Sequence, residues 1–215
     1  MSKCFPKLPK NLLPCTDTQT FLRAQQTGEV LYGLHFSGIS FTDVAGARFD
    51  GCQFDGCSFA GCAAQKSSFT DCKLSGCDLS NANFDGCYTC RTHFAGCKWL
   101  GATVNEASLH STAFSACNLA YLTCDHTRLS DVAFDGCDLS GGNLTACRLE
   151  KPVLHDCKLL AASFFQTPLA GVNLTDCLID GLSVSDSGQE LRGAIVTPLQ
   201  AAELAKLLGL VVQDM

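Results

Sequence analysis

Residues 47–61 read ARFDG CQFDG CSFAG, three five-residue units in which a small residue, a phenylalanine and a glycine return at fixed positions. The same spacing continues without a slip through LSVSD at Leu182–Asp186, which makes 28 units. The third residue of each unit, called its centre, is apolar in 27 of them, and Thr89 is the exception. A period of five matches neither an α-helix nor a flat strand, so the pattern requires another repeating backbone.

The residue types within each unit indicate a short extended segment followed by a corner. The small first residue and the large centre are two positions apart, so both point inward along an extended segment. Eleven of the 28 fifth positions are glycine and six more are asparagine or aspartate, which tolerate the positive φ of a tight corner. The sequence therefore predicts an all-β solenoid in which the chain turns after every inward pair.

The composition narrows the class of protein further. An apolar fraction of 47% in 215 residues argues against disorder, and a net charge of −6 argues against direct binding of nucleic acid. The sequence has no run of about 18 apolar residues and no signal-peptide pattern at Met1–Val30. We therefore expect no membrane partner and a cytoplasmic location.

Sixteen cysteines would suggest a disulfide scaffold in a secreted chain, but twelve of them occupy the small first position of a unit. Metal binding and redox chemistry are the alternatives to packing. A zinc site needs convergent ligands rather than a line, and burial makes thiols inert, so we expect reduced, buried thiols. Cys4, Cys15 and Cys90 lie outside the inward position and are expected to be the accessible thiols. One unbroken series spaced by 20 residues comprises Cys57, Cys77, Cys97, Cys117, Cys137, Cys157 and Cys177.

The units ANFDG at Ala82 and CDLSG at Cys137 resemble the consensus A(D/N)LXX of the pentapeptide-repeat family. The resemblance implies a right-handed quadrilateral parallel β-helix with four units, hence 20 residues, per coil. Residues 47–186 then give seven coils, and about seven to eight with the lead-in, plus a short C-terminal α-helix. At about 4.8 Å per stacked strand, seven coils make a rod about 34 Å long.

The five-residue spacing of residues 47–186 does not extend in the same register to the two ends of the chain. LHFSG and ISFTD at Leu34–Asp43 continue the pattern in another phase that breaks at Val44–Gly46, which predicts about half a coil of lead-in. We divide the chain into an N-terminal capping segment (1–30), the solenoid (31–196) and a C-terminal dimerisation segment (197–215). A possible short helix lies at Asp17–Gln26 within the first of these.

The C-terminus predicts a helix from about Pro198 to Leu208, because Thr197 and Gln200 have the spacing of a capping box and Gly209 is a natural terminator. The stretch 191–212 resembles the end of the Qnr and MfpA branch of the family. That resemblance implies a homodimer formed by this helix and a following strand at Leu210–Gln213. A monomeric end cap is the alternative. The expected interface comprises Leu199, Leu204, Leu207, Leu208, Leu210, Val211 and Val212.

No catalytic constellation is evident in the sequence. The outward histidines His93, His110, His126 and His155 are scattered over different coils or sides. Cys90 and His110 should stack outward, but two ligands make a weak metal site. We therefore expect no enzyme activity, no cofactor and no metal.

Charge is distributed unevenly around the predicted rod. We number the four sides in chain order from the centres Phe49, Phe54, Phe59 and Ala64, and their outward residues sum to about +1, −3, −1 and −3. Solubility alone explains surface charge of this kind, so any single residue is as consistent with that role as with function. The candidate acidic residues of side 2 are Asp55, Asp135, Asp156 and Asp176, and this side has one basic residue, Lys73. The candidate acidic residues of side 4 are Asp85, Glu106 and Asp125. Side 4 also has the acidic Asp186 and the basic Lys66.

The family resemblance implies a function for such a rod. Qnr and MfpA proteins are dimeric, acidic DNA mimics that bind DNA gyrase or topoisomerase IV, inhibiting the enzyme or protecting it from quinolones. The unbroken register resembles the MfpA-like members without projecting loops. A 34 Å length of duplex carries about 20 charges against six here, so the mimicry would be partial. The alternative is a rigid protein–protein interaction scaffold with an unrelated partner, since function resides in surface sites rather than in the fold.

Overall fold

The protein forms a parallel β-solenoid of short strands. The computed structural model describes residues 6–16, 21, 24 and 26–213. The strands are Leu13–Pro14 (β1), Val30–Tyr32 (β2), Leu34–Ser37 (β3), Arg48–Asp50 (β4), Gln53–Asp55 (β5), Ser68–Thr70 (β6), Lys73–Ser75 (β7), Tyr88–Cys90 (β8), His93–Ala95 (β9), Ser108–His110 (β10), Ala113–Ser115 (β11), Arg128–Ser130 (β12), Ala133–Asp135 (β13), Arg148–Glu150 (β14) and Val153–His155 (β15). A 3-10 turn at Gln189–Leu191 precedes one α-helix, α1, at Pro198–Leu207.

Two parallel sheets form adjacent sides of the rod. Side 1 is the seven-stranded sheet that runs from β2 through the even-numbered strands to β14. Side 2 is the eight-stranded sheet that runs from β1 through the odd-numbered strands to β15. Sides 3 and 4 are ladders of single parallel bridges, such as Ser58↔Asp78 and Ala63↔Asn83. Partners in the regular part are 20 residues apart, which confirms four units per coil.

The core is a stack of centre residues from successive coils. Phe94, Phe114 and Phe134 lie above one another with ring centroids 4.9 and 5.1 Å apart and planes within 10° of parallel. Equivalent stacks join Phe36 to Phe54 at 4.8 Å. Each buried aromatic side chain stabilises through area burial, and each stacked pair adds about 0.5–1.5 kcal/mol. The stacked rings therefore repeat along the rod at about the same spacing as the strands.

At 26 of the 28 corners the fifth residue of a unit is in the left-handed conformation, whether or not it is glycine; Asp176 and Asp186 are the exceptions. Asp71 has a φ of 50° and Tyr121 has a φ of 58°. Such values are uncommon for residues with a Cβ, so the hydrogen-bonded coils below and above must enforce them. Glycine is required at position 141 for a second reason, since a Cβ there would lie 2.6 Å from the Tyr121 ring.

The lead-in before Ala47 is a complete coil, so the expected half coil is wrong. All four of its centre residues, Leu31, Phe36, Phe41 and Val44, are buried. The phase breaks because two residues are missing at the corner between sides 3 and 4 of this coil. Register partners are 18 apart at Ser40↔Ser58 and 20 apart at Asp43↔Ala63.

The N-terminal arm, residues 6–16, lies along the corner between sides 1 and 2. β1 adds a strand to β3, and the Lys7 amide donates to Asp71 Oδ1 at 2.9 Å. Pro9 packs so closely that a Cβ at Gly51 would lie 2.9 Å from its Cδ. Beyond the arm, Phe21 packs over the Phe49 ring at 6.2 Å and covers the end of the core. Gln26 has helical backbone, whereas Asp17, the expected N-cap, lies outside the described residues.

The C-terminal segment closes the other end. Thr197 and Gln200 form the predicted capping box at the start of α1. The Gln200 Nε2 amide also donates to the carbonyls of Leu174 at 2.7 Å and Cys177 at 2.9 Å. Leu204 is the one side chain of α1 that is buried, and it joins the core. Helix α1 therefore covers the open coil through one residue and satisfies its carbonyls through another.

The last coil is held by a buried carboxylate. Glu190 is buried and accepts hydrogen bonds from the Gln166 amide at 2.9 Å and the Ser185 hydroxyl at 2.7 Å. Burial works to raise the pKa of Glu190, but these donors outweigh it and lower the pKa below its usual range. Among the described residues, no helix has the length and apolar character needed to cross a bilayer.

Candidate interaction surfaces

Side 2 carries its acidic side chains mainly in the last three coils. Asp135, Asp156 and Asp176 are exposed and follow one another at one carboxylate per coil. Asp55 lies four coils away from Asp135 and is partly exposed. The stacking of coils 5 to 7 thus brings three of the four predicted acidic residues of this side together and leaves Asp55 apart.

Two histidines are hydrogen-bonded to these carboxylates. His155 Nδ1 lies 2.8 Å from Asp135 Oδ1, and His155 Nε2 lies 3.6 Å from Asp176 Oδ2. The bond to Asp135 is the main cause that raises the pKa of His155. At the other end of side 2, His35 Nε2 lies 2.8 Å from Asp55 Oδ2. The charge of side 2 therefore depends on pH, which the count of carboxylates in the sequence did not reveal.

Asp55 is held as a carboxylate by its neighbours. Partial burial works to raise its pKa, but hydrogen bonds from Gln53 and His35 lower the pKa below the usual range. Gln53 Nε2 donates to Asp55 Oδ2 at 2.7 Å. Asp55 is therefore an internally paired group and contributes less free charge than the exposed carboxylates of the last coils.

Side 4 carries its three candidate acidic residues in coils 2 to 4, and Asp186 lies apart in coil 7. Asp85 Oδ1 accepts from the Asn105 amide at 2.8 Å, and Asn105 Oδ1 accepts from the Asp125 amide at 2.9 Å. Glu106 lies at the corner beside Asn105 and is exposed. Asp85, Glu106 and Asp125 thus place one carboxylate in each of three successive coils. The hydrogen bonds fix Asp85, so this carboxylate is presented in a defined position.

The predicted series of seven cysteines is buried in one line, each thiol at most 5% exposed. The thiols donate to backbone carbonyls, as Cys117 Sγ does to Phe94 O at 3.4 Å. Burial raises the pKa of Cys62 to about 11 and that of Cys87 to about 12. No group of three or more potential metal-binding side chains occurs in the part of the chain that the structure describes.

The expectation that Cys15 and Cys90 are accessible is wrong, and Cys4 lies outside the described residues. Cys15 is 7% exposed and Cys90 is 6% exposed. Cys90 does stack on His110 in register, as expected. However, its thiol lies beside the corner, 3.3 Å from a guanidinium nitrogen of Arg91. The repeat position of Cys90 could not predict the burial of its thiol, because the thiol lies against Arg91, a residue at the neighbouring corner.

The C-terminal segment exposes a continuous apolar surface. Leu199 is 83% exposed and Val211 is 87% exposed. Leu204 differs from the other predicted interface residues, since it is buried in its own chain. Residues 210–213 form no strand within the single chain. The exposed set, called the apolar end, comprises Leu199, Leu207, Leu208, Leu210, Val211 and Val212.

The repeating five-residue unit, four ladders of parallel pairs and left-handed corners define a four-sided repeat solenoid. Two family models match it, the pentapeptide repeat region over residues 67–134 and the eight-copy pentapeptide repeats over residues 127–164. The chain is therefore a pentapeptide-repeat protein. No curated protein matches the sequence significantly.

Solved structures with the same repeat include proteins of different roles. A trypsin-treated variant of QnrB1, a plasmid-mediated fluoroquinolone resistance protein, is 21% identical and covers 94% of this chain and 100% of its own, with a TM-score of 0.41. HetL is involved in heterocyst differentiation regulation in the cyanobacterium Nostoc sp. strain PCC 7120. It is 19% identical and covers 84% of this chain and 93% of its own, with a TM-score of 0.45. At these identities the likeness concerns the fold alone.

Proposed function

We propose that this chain is a non-enzymatic cytoplasmic protein that binds a basic groove of DNA gyrase or topoisomerase IV as a partial DNA mimic. The supporting observation is the run of one carboxylate per coil on sides 2 and 4. Stacked coils are about 4.8 Å apart. One strand of duplex DNA carries a phosphate every 3.4 Å along the axis. Over three coils, each acidic run therefore has roughly 70% of the linear charge density of one DNA strand.

The net charge of the whole rod gives this proposal less support than the acidic runs do. A net charge of −6 is far below that of duplex DNA of equal length, so the acidic runs rather than the overall charge must provide the contact. A rigid scaffold for another basic partner would use the same runs. The choice of a topoisomerase depends on the resemblance of residues 191–212 to the Qnr and MfpA branch.

A gyrase supercoiling assay with purified protein, with and without ciprofloxacin, tests this proposal. We expect wild-type protein at micromolar concentration to change supercoiling or to reduce the drug's effect. Replacing Asp85, Glu106 and Asp125 together by Asn, Gln and Asn should weaken the effect at least tenfold, because the amides keep the acceptors and lose the charge. Asp138→Asn on side 3 is the matched control. No effect of the wild type on either enzyme would contradict the proposal.

We also propose that the apolar end pairs two copies of the chain. Each large apolar side chain that leaves water contributes about 1.5–3 kcal/mol, and six of them are exposed within 14 residues. A two-fold contact uses the same surface on both copies, which is the commonest route to a homodimer. Residues 210–213, which form no strand within one chain, would then pair across the axis as the strand that the sequence predicts.

Sedimentation of the full chain tests the dimer. The variants Leu199→Glu and Val211→Glu should remain folded and become monomers, because both side chains are exposed in the single chain. Leu178→Glu, at an exposed leucine on side 3, is the control and should stay dimeric. A wild type that is monomeric at tens of micromolar would contradict this proposal and leave α1 as an end cap.

A further inference from the structure

Side 1 contains a pair of arginines whose arrangement neither the repeat nor the acidic sides explain. Arg128 of β12 and Arg148 of β14 are register partners, so their side chains leave the sheet about 4.8 Å apart. Both are exposed. Among the register pairs of the sheets and bridges that the structure describes, this pair alone places like charges side by side.

Three other cations on the rod have compensating neighbours. Lys98 and Lys158 lie in register with Asp78 and Asp138 on side 3. Arg91 is paired with Asp71 at the corner of side 1. Like charges directly opposite each other in a sheet are destabilising. An arrangement that costs stability in the free protein suggests a ligand that compensates for it.

One carboxylate on these two strands, that of Glu150, is hydrogen-bonded to a hydroxyl. Glu150 follows Arg148 on the same strand, and its carboxylate accepts from the Ser130 hydroxyl at 3.1 Å. Neither arginine has an acidic partner within 4 Å in the described structure. The next residue in the same column, Ser108 of β10, is the register partner of Arg128 and is partly exposed.

We propose that Ser108, Arg128 and Arg148 form a binding site for a doubly charged phosphoryl group. The column presents one hydroxyl and two guanidinium groups over about 10 Å, at the strand spacing. A guanidinium donates two parallel hydrogen bonds to a phosphate, and two of them can hold different oxygens of one group. A dianion also cancels the repulsion between the arginines, which a single carboxylate does only in part. The ligand is either free phosphate or a phosphorylated side chain.

The NMR signals of the arginine Nε–H groups test the site directly. Titration of the full chain with inorganic phosphate, against chloride at matched ionic strength, should shift the Arg128 and Arg148 signals along a saturable curve. Arg148→Ser should weaken the apparent Kd at least tenfold. Lys98→Ser removes an exposed cation from the same repeat position on side 3 and should leave the Kd unchanged. Equal curves for wild type and Arg148→Ser, or linear shifts, would overturn the proposal.

Fluorescence anisotropy with a phosphoserine peptide and its unphosphorylated form distinguishes the two sources of the phosphoryl group. Tighter binding of the phosphopeptide than of inorganic phosphate, lost in Arg148→Ser, assigns the site to phosphorylated side chains. Equal binding assigns it to the free anion. Urea unfolding in chloride tests the proposal without ligand. Because the substitution removes the repulsion between the arginines, Arg148→Ser should be at least as resistant to urea as wild type. A clear loss of resistance would show that the arginine pair is structural.

Discussion

At the scale of single residues, the small inward position has a chemical preference as well as a steric one. Cys117 Sγ donates to the Phe94 carbonyl, and Thr127 Oγ1 donates to the Val104 carbonyl at 2.6 Å. In both cases the acceptor is the centre residue 23 positions earlier. Cysteine, serine and threonine combine small volume with a donor, which alanine lacks. The abundance of cysteine therefore follows from the corner geometry and needs no redox role.

Enlarging this position should destabilise the rod. Cys117 is buried between Cys97 and Cys137, so Cys117→Leu should cost about 1–3 kcal/mol of unfolding free energy through overpacking. Cys117→Ser keeps the donor and should cost less. Leu122 occupies the same repeat position, and its neighbours 20 residues away are the small residues Ala102 and Gly142. Urea unfolding measures the difference, and equal stabilities of the two variants would contradict the packing argument.

The His155 imidazole should titrate above the ordinary histidine range. Its pKa is raised chiefly by the bond to Asp135, so the ion pair is formed at pH values below the raised pKa and is lost as the pH rises through it. NMR titration should show the pKa of His155 fall in Asp135→Asn. Protonation also cancels one charge of the acidic run on side 2, so a basic partner should bind that side better at pH 8 than at pH 6. A His155 pKa that is the same in both proteins would contradict the assignment.

At the scale of elements, α1 is an end cap that depends on one leucine. Leu204→Ala should lower the unfolding free energy by about 2–5 kcal/mol, because it removes a buried side chain from the end of the core. Leu199→Ala in the same helix should change the stability of the monomer by less than about 0.5 kcal/mol, since its side chain is exposed. Unfolding should be followed at a concentration where the chain is monomeric. Equal effects of the two substitutions would contradict the orientation of α1.

The sequence predicted some elements to the residue and missed others for physical reasons. The regular part, 47–186, and the capping box at Thr197 follow from local patterns, and both are confirmed. The complete lead-in coil was missed because two residues absent from the corner between its sides 3 and 4 look like the end of the repeat. The path of the arm was missed because Pro9 fits against Gly51 and Lys7 bonds Asp71, contacts between distant residues that no periodicity encodes.

The candidate surfaces were predictable to a similar extent. The register of 20 residues placed each carboxylate on its side, and the structure retains those positions. The pairing of His155 with Asp135 and the bond from Gln53 to Asp55 depend on side-chain rotamers, which a repeat position does not specify. The burial of Leu204 was missed because an apolar stripe on a helix does not show which of its leucines meets the last coil.

At the scale of the whole molecule, stability should decrease from the N-terminal to the C-terminal coils. Stacked aromatic pairs run from Phe36 to Phe134, whereas the centres of coils 6 and 7 are mostly leucine, isoleucine or valine. Since each coil contacts only its neighbours, local differences are not averaged over the rod. Amide hydrogen exchange should therefore be slower in coil 2, around Leu74, than in coil 7, around Leu174. Uniform protection along the rod would show that it opens only as one unit.

The 20-residue spacing between hydrogen-bonded partners also shapes how the chain is made. Ribosomes add about 5–20 residues per second, so a new coil emerges every few seconds and finds its only template, the preceding coil, already complete. The aromatic-rich coils are synthesised first and need nothing downstream to fold upon. Helix α1 emerges after all the coils, so until then the growing end is an uncovered set of parallel strands. The nascent rod is most exposed to mispairing with another nascent chain in the seconds before α1 leaves the exit tunnel.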